Sequence, residues 1–345
     1  MHESVLCVRM AVHFHRVFLF MLDYRGRLIY NPTAGSFPSG MIGEQVKSLL
    51  ADYGWDLEIC QSERGEHVTR LSADAAEKQF DAVFIAGGDG TINLALEGLM
   101  DTETALGILP AGTSNVMAQE LGLAGLHLVR ATSLVSAARK LMHGSIQKTD
   151  VGICNGKPFL MWAGIGLDGF IVHRIEPRKS WEKQLSVLHY ASKAVWNAHL
   201  WSGVEMEIKT GDQSVKGSYL MAVASNIRLY VGGFAELSPS AMLDDGMMDL
   251  WVFEGNSPID VYQRALDLFS RRHLHSQHTY CLPFKHATIE SDTGLYTQLD
   301  AEPFSEKNKI ELKVNRQSLN LIVPNEAKVG LYHLPAVKLL TPAPE

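Results

Sequence analysis

The sequence has few cysteines, no long apolar run and no excess of basic residues, and each shortage excludes a class of protein. Its four cysteines are far apart and form no C-x-x-C pair, which argues against a disulfide framework or a zinc ribbon and favours a reducing compartment. No apolar run reaches the roughly 18–20 residues of a membrane-spanning helix. The net charge is −7, so nucleic acid is not an expected partner.

The composition is that of a globular protein. The chain has 345 residues, of which 46% are hydrophobic and 20% are charged, enough for a sizeable core and about two domains. The apolar stretch 5–22 is interrupted by His13, His15 and Arg16 and has no small-residue cleavage site after it, so a signal peptide is not expected. We therefore expect a cytoplasmic protein, with a local basic patch still able to meet anionic lipid.

Short apolar runs alternate with helical patterns in the first half of the chain. The alternation predicts a parallel sheet with helices on its faces, in which ligands bind outside the carboxyl ends of the strands. The predicted strands are Arg27–Asn31, Asp56–Cys60, Ala82–Ala86 and Ala105–Leu109. The predicted helices are Met41–Asp52, Glu66–Gln79 and Thr91–Met100.

Extended runs dominate after about residue 147 and predict a mostly antiparallel β domain. Two helices, Trp181–His199 and Pro258–Phe269, interrupt these runs. We expect an α/β domain over residues 23–148, completed by 325–345 if the tail folds back, and a β-rich domain over residues 149–324. The predicted extended runs are Lys148–Cys154, Pro158–Gly164, Val204–Lys209, Val215–Ser225, Met248–Phe253, Thr279–Glu290, Lys309–Val314 and Leu319–Val323.

The sharpest motif is the segment GGDGTIN, Gly87–Asn93, which follows an apolar strand and opens a helix. Consecutive glycines let backbone N–H groups approach a phosphate, and the helix N-terminus adds further donors. Asp89 would engage a magnesium ion or a substrate hydroxyl there. The alternative is a tight turn with Asp89 as a helix cap.

Two further loops follow neighbouring strands. They are NPTAGS, Asn31–Ser36, and LPAGTSN, Leu109–Asn115. Each alone is typical of an ordinary turn. Because the carboxyl ends of parallel strands share one edge of the sheet, the three loops together predict a nucleotide phosphate site.

Other phosphate and catalytic motifs do not explain the chain. Gly164–Gly169 matches G-x-G-x-x-G, but the segment after it lacks the second strand and acidic residue of a dinucleotide fingerprint. The sequence has no G-x-x-x-x-G-K-[ST], which excludes a P-loop. It has no G-x-S-x-G for a serine hydrolase.

The order and spacing of these motifs resemble the diacylglycerol-kinase-like lipid kinases, which include bacterial diacylglycerol kinases and the sphingosine and ceramide kinases. The likeness continues in AGIGLDG (Ala163–Gly169), LDDGMMDL (Leu243–Leu250) and DAE (Asp300–Glu302), and it spans about residues 27–323. The resemblance implies an α/β nucleotide-binding domain like that of NAD kinase and diacylglycerol kinase, followed by a β-sandwich-like domain. It also implies phosphoryl transfer from ATP with Mg²⁺ to a lipid hydroxyl, a step of phospholipid metabolism.

The resemblance assigns the ATP contacts to the loops of the first domain. By position they are Asn31, Gly87, Gly88, Asp89, Gly90, Thr91, Ile92, Asn93, Gly112, Thr113 and Asn115. The family often has a threonine ahead of the second helix; the corresponding position here is Gln61, with Ser62 beside it.

The resemblance also implies a metal ligand and a general base. Asp245, with the backbone carbonyls of Met242 and Met247, would hold a structural magnesium ion. Glu302 would take the proton of the lipid hydroxyl, with Asp89 as the competing base. The family usually has glycine where this chain has Ala301, and because alanine avoids positive φ, we expect the loop either not to need that conformation or to differ here.

Two segments offer surfaces for a lipid. The segment 181–201, rich in tryptophan and lysine, is typical of an acyl-groove cover, a bilayer contact or an ordinary packed helix. A basic cluster could face anionic headgroups or be a solvated helix end, and it lacks the carboxylate or cysteine of a metal site. It contains Arg271, Arg272, His273, His275 and His278.

Three functions remain after the sequence is read. The leading one is a kinase that acts peripherally at the membrane surface on diacylglycerol or a sphingoid-type lipid. The others are an NAD-kinase-like kinase of a soluble substrate and a catalytically weak nucleotide- or lipid-binding protein. A homodimer is compatible with the sequence.

Overall fold

The computed structural model describes residues 24–31, 41–63, 65–124, 131–175, 201–211 and 213–340. The strands are β1 Tyr24–Tyr30, β2 Trp55–Gln61, β3 Ala82–Gly87, β4 Ala105–Pro110, β5 Gly144–Cys154, β6 Lys157–Phe159, β7 Trp162–Gly166, β8 Val204–Thr210, β9 Gln213–Ser225, β10 Leu229–Tyr230, β11 Ala235–Glu236, β12 Met248–Glu254, β13 Thr279–Phe284, β14 His286–Leu299, β15 Glu302–Pro324 and β16 Lys338–Leu339. The helices are α1 Met41–Ala51, α2 Gly65–Glu77, α3 Asp89–Leu99, α4 Val116–Glu120, α5 Ala131–Met142, α6 Leu167–Ile175, α7 Pro258–Phe269 and α8 Asn325–Lys328. Two 3₁₀ turns cover Val231–Gly233 and Arg272–His275.

The N-terminal strands lie in the order β2-β1-β3-β4 and pair in parallel. Every residue of β3 and β4 is buried, which is why their sequences are continuous apolar runs rather than alternating ones. A parallel pair needs a crossover between its strands, and α1, between β1 and β2, and α3, between β3 and β4, supply two of them. The carboxyl ends of β1, β3 and β4 therefore meet at one edge.

The rest of the sheet is mostly antiparallel, so the predicted parallel sheet describes only the N-terminal pairings and one contact of β4 with β15. In the described residues one 14-stranded sheet runs from β2 through β4 and β15 to β13. The 23-residue strand β15 joins the two halves, because its start pairs with β14 and its end pairs with β4 and β5. The chain thus returns from the β-rich part to the N-terminal sheet.

Two apolar clusters form the core. The larger one contains the strands and helices of the N-terminal part and extends to residues such as Trp162 and Phe253. The smaller one lies among the antiparallel strands and includes Phe159, Ile208 and Ile310. Burial on this scale, at about 25 cal/mol per Å² of apolar surface, is the main stabilising contribution to such a fold.

Several element predictions differ from the structure. Helix α7 has the predicted bounds, whereas α3 begins two residues earlier, at Asp89. The predicted run 279–290 is two strands, β13 and the first part of β14, while the two predicted runs near 309–323 are parts of β15. The predicted helix Trp181–His199 lies outside the described residues.

The C-terminal segment packs back on the sheet. Strand β16 pairs with β5, and the Lys338 Nζ lies 4.2 Å from the centre of the Tyr24 ring. The domain bounds stay predictions. No helix among the described residues is long and apolar enough to cross a membrane.

Candidate functional site

The predicted phosphate loops lie on one rim of the sheet. The parallel registers align Tyr30 with both Gln61 and Ala86, and Gly87 with Pro110, so β1 to β4 end at about the same level. Asn31 follows β1 directly and is partly exposed. The residues of loop Pro32–Ser36 lie outside the described ranges.

Glycine is required where the loops GGDGTIN and LPAGTSN meet. A Cβ on Gly112 would lie 2.4 Å from the Cα of Gly88, which is backbone and cannot move aside easily. A Cβ on Gly87 would lie 2.7 Å from the Cβ of Thr91. The loops therefore pack backbone against backbone, and Gly88, the N-cap of α3, presents no side chain toward the rim.

Asn115 shapes the second loop from within. Its Oδ1 accepts a hydrogen bond from Gly112 N at 2.8 Å and its Nδ2 donates to Gly112 O at 2.7 Å. It adopts a left-handed conformation, φ 51°, and is 4% exposed. Asn115 thus holds the loop, and the exposed Thr113 lies beside it on the solvent side.

The helix residues of the GGDGTIN motif face inward. Ile92 is 2% exposed and its side chain belongs to the larger core, so only its backbone is left to meet a nucleotide, and its place among the ATP contacts stays a prediction. Asn93 is 8% exposed, and its buried Oδ1 has no hydrogen-bond partner within the described part of the chain. Gln61, at the end of β2, is exposed and accepts from the Tyr30 hydroxyl at 3.5 Å.

Asp89 caps helix α4 and not its own helix, whose N-cap is Gly88. Its two carboxylate oxygens accept from Val116 N at 3.0 Å and from Met117 N at 3.2 Å. Desolvation raises the pKa of Asp89, and these backbone donors oppose that rise. The carboxylate ties the first phosphate loop to the helix after the second.

Glu302 lies at the same loops although it comes from the far end of the sequence. A Cβ on Gly90 would be 3.1 Å from the Glu302 Oε1, so the carboxylate sits against the first turn of α3. Glu302 is exposed to solvent and begins β15. The tertiary path of β15 brings this residue to the phosphate loops.

A buried network holds the turn before Glu302. The Asp300 carboxylate, 2% exposed, accepts from the backbone N–H groups of Leu160, Met161 and Trp162 at 2.8 to 3.0 Å. Burial raises the pKa of Asp300 to about 6, and the charge of Asp89 adds to that rise. This effect of Asp89 on Asp300 indicates that the two carboxylates are near each other.

Ala301 adopts the conformation that its residue type disfavours. Its φ is 68°, so the expectation that this loop does not need a positive φ is wrong. Gln298 compensates, because its Oε1 accepts from Ala301 N at 2.7 Å while its Nε2 donates to Asp168 at 2.7 Å. Burial raises the pKa of Asp168.

The segment Gly164–Gly169 contains Asp168, the hydrogen-bond partner of Gln298. Strand β7 leads into α6 here, but β7 pairs antiparallel with β9 and β14, so no βαβ unit forms. A Cβ on Gly164 would overlap the Asp168 carboxylate, and a Cβ on Gly169 would lie 2.3 Å from Tyr296 O. The glycines let α6 pack against β14 with Asp168 beneath it.

The predicted metal ligands lie in the loop between β11 and β12. Asp245 Oδ1 accepts from Met247 N at 2.8 Å. Burial raises the pKa of Asp245, and the charges of Asp249 and Asp244 add to it, although His333 opposes them. No group of three His, Cys, Asp or Glu side chains with metal-site geometry occurs in the described ranges. One carboxylate with the carbonyls of Met242 and Met247 is nevertheless an all-oxygen donor set of the kind Mg²⁺ takes.

Sequence reasoning missed the buried polar residues that brace the site. Asp150, on β5, accepts from Gly246 N at 2.6 Å and from Gln317 N at 2.7 Å, and burial raises its pKa to about 6. Glu120, at the end of α4, accepts from Arg228 Nε at 2.5 Å and from Leu229 N at 3.0 Å. Neither residue belongs to a motif, so the sequence carried no clear signal for either.

The predicted lipid-facing segments fall partly outside the described residues. Of 181–201 only Trp201 is described; it is 8% exposed and its Nε1 donates to Leu220 O at 3.0 Å. His273 is fully buried and contacts Leu237 O through Nε2 at 3.0 Å, so its place in a surface basic cluster is wrong. Arg271 and Arg272 are exposed.

Two family models match successive parts of the chain. The family model of the diacylglycerol kinase catalytic domain matches residues 25–154, and that of the YegS C-terminal NAD kinase beta sandwich-like domain matches residues 163–323. The diacylglycerol kinase of Bacillus subtilis (strain 168) is 27% identical over 280 residues, 81% of this chain and 89% of that protein. The diacylglycerol kinase of Staphylococcus saprophyticus is 26% identical over 310 residues, 88% of this chain and 97% of that protein.

A solved structure shares the fold. The crystal structure of a diacylglycerol kinase from Bacillus anthracis str. Sterne superimposes with a TM-score of 0.67 at 20% identity, covering 88% of this chain and 98% of that chain. The similarity therefore extends over both the N-terminal and the β-rich parts of the chain.

Proposed function

Because this chain belongs to the family of diacylglycerol-kinase-like lipid kinases, we propose that it transfers the γ-phosphoryl group of ATP to a hydroxyl of a lipid such as diacylglycerol or a sphingoid-type lipid. The hydroxyl oxygen attacks the γ-phosphorus, the bond from the γ-phosphorus to the bridging oxygen breaks, and ADP leaves. The lipid keeps the new phosphate ester, and the hydroxyl proton passes to a base.

One observation carries the proposal: the Glu302 carboxylate lies against Gly90 of the glycine-rich loop, 3.1 Å from where a Cβ would be. A carboxylate repels phosphate, so its position beside a phosphate loop is unfavourable for simple nucleotide binding. It suits a base that faces the acceptor hydroxyl at the end of the γ-phosphate. The loop backbone of Gly87–Gly90 and Gly112–Thr113 would bind the phosphates.

Asp89 is the weaker candidate for the base. Its two oxygens accept one backbone hydrogen bond each from the start of α4, so a proton gained on either oxygen would compete with one of these contacts and weaken the other. We assign Asp89 the role of a positioning residue that sets the distance between the two phosphate loops. Asp300 and Gln298 do the same for Glu302.

A magnesium ion fits two places in chemical terms. At the phosphates it would neutralise charge that develops during transfer. Asp245, whose pKa is raised by burial and by neighbouring carboxylates, would hold a structural ion with the carbonyls of Met242 and Met247. This chain's own residues would then need only to bind, orient and accept the proton.

The test is phosphate transfer from γ-labelled ATP with Mg²⁺ to a total lipid extract in mixed micelles, with NAD assayed in parallel. We expect label in the organic phase, and loss of about 10²-fold or more in kcat for Glu302→Gln with KM for ATP retained. The control is Glu311→Gln, an exposed carboxylate on the same strand.

Label on NAD alone would replace the lipid acceptor by a soluble one. Full activity of Glu302→Gln would remove the assigned base. ATP binding without transfer to either acceptor would favour a nucleotide-binding protein.

A further inference from the structure

Helix α7 buries Val261 and Leu268 but carries a second set of apolar residues on its outer face. Its outer face consists of Ile259, Tyr262, Leu266 and Phe269, which are 67%, 45%, 60% and 56% exposed. Their spacing of three and four residues places them in one stripe along the helix. A surface helix of a globular protein normally has polar residues on its outer face.

The charged residues of α7 lie on its inner side. Arg264 is 8% exposed and its NH2 group lies 3.5 Å from Asp267, which also pairs with Arg272 at 3.2 Å. Asp260 is bound into the capping box with Ser257 at the start of the helix. The helix is therefore well formed and pinned to the protein, so its exposed apolar stripe is a fixed surface.

Basic groups lie at the end of this stripe. Arg271 and Arg272 have side chains that are 65% and 64% exposed, whereas their partners Glu236 and Asp267 are only 21% and 17% exposed. Positive charge thus projects while negative charge is recessed. His275 and the apolar Leu274 belong to the 3₁₀ turn that begins at Arg272.

A cavity of about 520 Å³ opens between α7 and this turn. Arg264, Arg272 and His275 line it together with Asp267. The buried Nε of Arg264 has no hydrogen-bond partner within the described ranges. An anionic group in the cavity would meet the guanidinium groups of Arg264 and Arg272, which pair well with phosphate oxygens.

The same side of the molecule connects to the phosphate loops. Arg271 pairs with Glu236 of β11, and the hairpin turn Val231–Gly233 receives a hydrogen bond from Gln119 of α4. Two apolar residues of this hairpin, Val231 and Phe234, are 37% and 39% exposed. These contacts link the end of α7, through β11 and the hairpin, to the helix that Asp89 caps.

We propose that the outer face of α7 docks on an anionic membrane surface, with its apolar side chains below the headgroups and Arg271, Arg272 and the cavity against lipid phosphates. Apolar side chains with flanking basic residues are the combination that holds a helix in the interfacial plane. Docking here gives the proposed lipid kinase a route to a substrate that stays in the bilayer, and in that sense it rests on the proposed function. Its test does not require turnover.

The experiment is sedimentation of the full chain with phosphatidylcholine vesicles, with and without about 30 mol% phosphatidylglycerol. We expect binding to the anionic vesicles, and at least a tenfold loss for Leu266→Ser/Phe269→Ser. Val329→Ser/Val337→Ser is the matched control, since it removes two exposed apolar residues from the C-terminal segment. It should bind within about twofold of wild type.

The charge contribution is tested separately. Arg271→Gln and Arg272→Gln should each weaken binding to anionic vesicles roughly fivefold, while the exposed Arg139→Gln on α5 should not. Turnover of a short-chain lipid dissolved in water should be retained by Leu266→Ser/Phe269→Ser, whereas turnover of lipid in vesicles should fall. This pair of substrates separates docking from chemistry.

Three results would overturn the proposal. The first is unchanged vesicle binding of Leu266→Ser/Phe269→Ser. The second is a wild-type dimer that this variant converts to a monomer without any vesicle binding, which would make the face an interface between copies. The third is a loss of thermal stability without a loss of vesicle binding, which would mean that another part of the chain covers the helix. If vesicle binding follows the prediction but no lipid is phosphorylated, the proposed function fails and the docking surface stands.

Discussion

Replacing Ala301 by glycine should stabilise the protein. Ala301 has a φ of 68°, and a Cβ in the left-handed region costs about 1–2 kcal/mol. Glycine removes that cost but adds about 0.4–1 kcal/mol of unfolded-state entropy, so the net gain is about 0.5–1 kcal/mol. The backbone hydrogen bond from residue 301 to Gln298 and the three bonds to Asp300 do not need the Cβ and should remain.

Thermal unfolding measures this gain. We expect Ala301→Gly to raise the Tm by roughly 1–3 °C. Ala336→Gly is the control, because this loop alanine does not have a positive φ and its replacement should lower the Tm slightly. Equal or lower stability of Ala301→Gly would refute the assignment of strain to this turn. Phosphate transfer by Ala301→Gly should match the wild type, since Glu302 keeps its supports.

Three further variants test the site. Gly112→Ala places a Cβ 2.4 Å from Gly88 Cα, so it should lower the free energy of unfolding by about 1–3 kcal/mol. It should also weaken ATP binding at least tenfold by titration. Gly65→Ala, whose Cβ meets only a flexible leucine, is the control and should do neither. Asp89→Asn should lose about 1 kcal/mol in thermal unfolding, because its amide nitrogen cannot accept from the start of α4, and its turnover should fall; normal turnover would contradict the positioning role. Burial raises the pKa of Asp300 from its usual value to about 6, so its contribution to stability is full below pH 4 and is lost as the pH rises through 6. The Tm of wild type minus that of Asp300→Asn should therefore fall between pH 4 and pH 7, and a difference independent of pH would show that Asp300 does not titrate in this range.

The local patterns were sufficient to predict the rim of the site. Continuous apolar runs predicted β3 and β4, because strands buried on both faces need apolar residues at every position. Glycines after those strands predicted loops with open backbone, and the contact of Gly88 with Gly112 is of that kind. The predicted start of α7 at Pro258 agrees with the structure, where Ser257 and Asp260 form a capping box, a purely local device.

Interactions between distant parts of the chain were not predictable in this way. Asp300 and the amides at 160–162 are about 140 residues apart, and only the pairing of β14 with β7 brings them together. That network imposes the positive φ of Ala301 against the preference of alanine. The residue type therefore argued for a negative φ that the turn does not have. The resemblance groups Ile92 with the phosphate contacts, but the geometry of α3 directs its side chain into the core.

The sequence by itself determined the alternation of strands and helices, the three glycine-bearing loops and the amphipathic stripe of α7, because each depends on residues a few positions apart. Only the tertiary structure decided which side of α7 faces outward, that Asp89 caps a helix 27 residues away and that Glu302 lies at Gly90. The physical reason is that such contacts depend on which distant strands pair, β3 with β4 for Asp89 and β14 with β15 for Glu302, and no local preference specifies where a strand will pair.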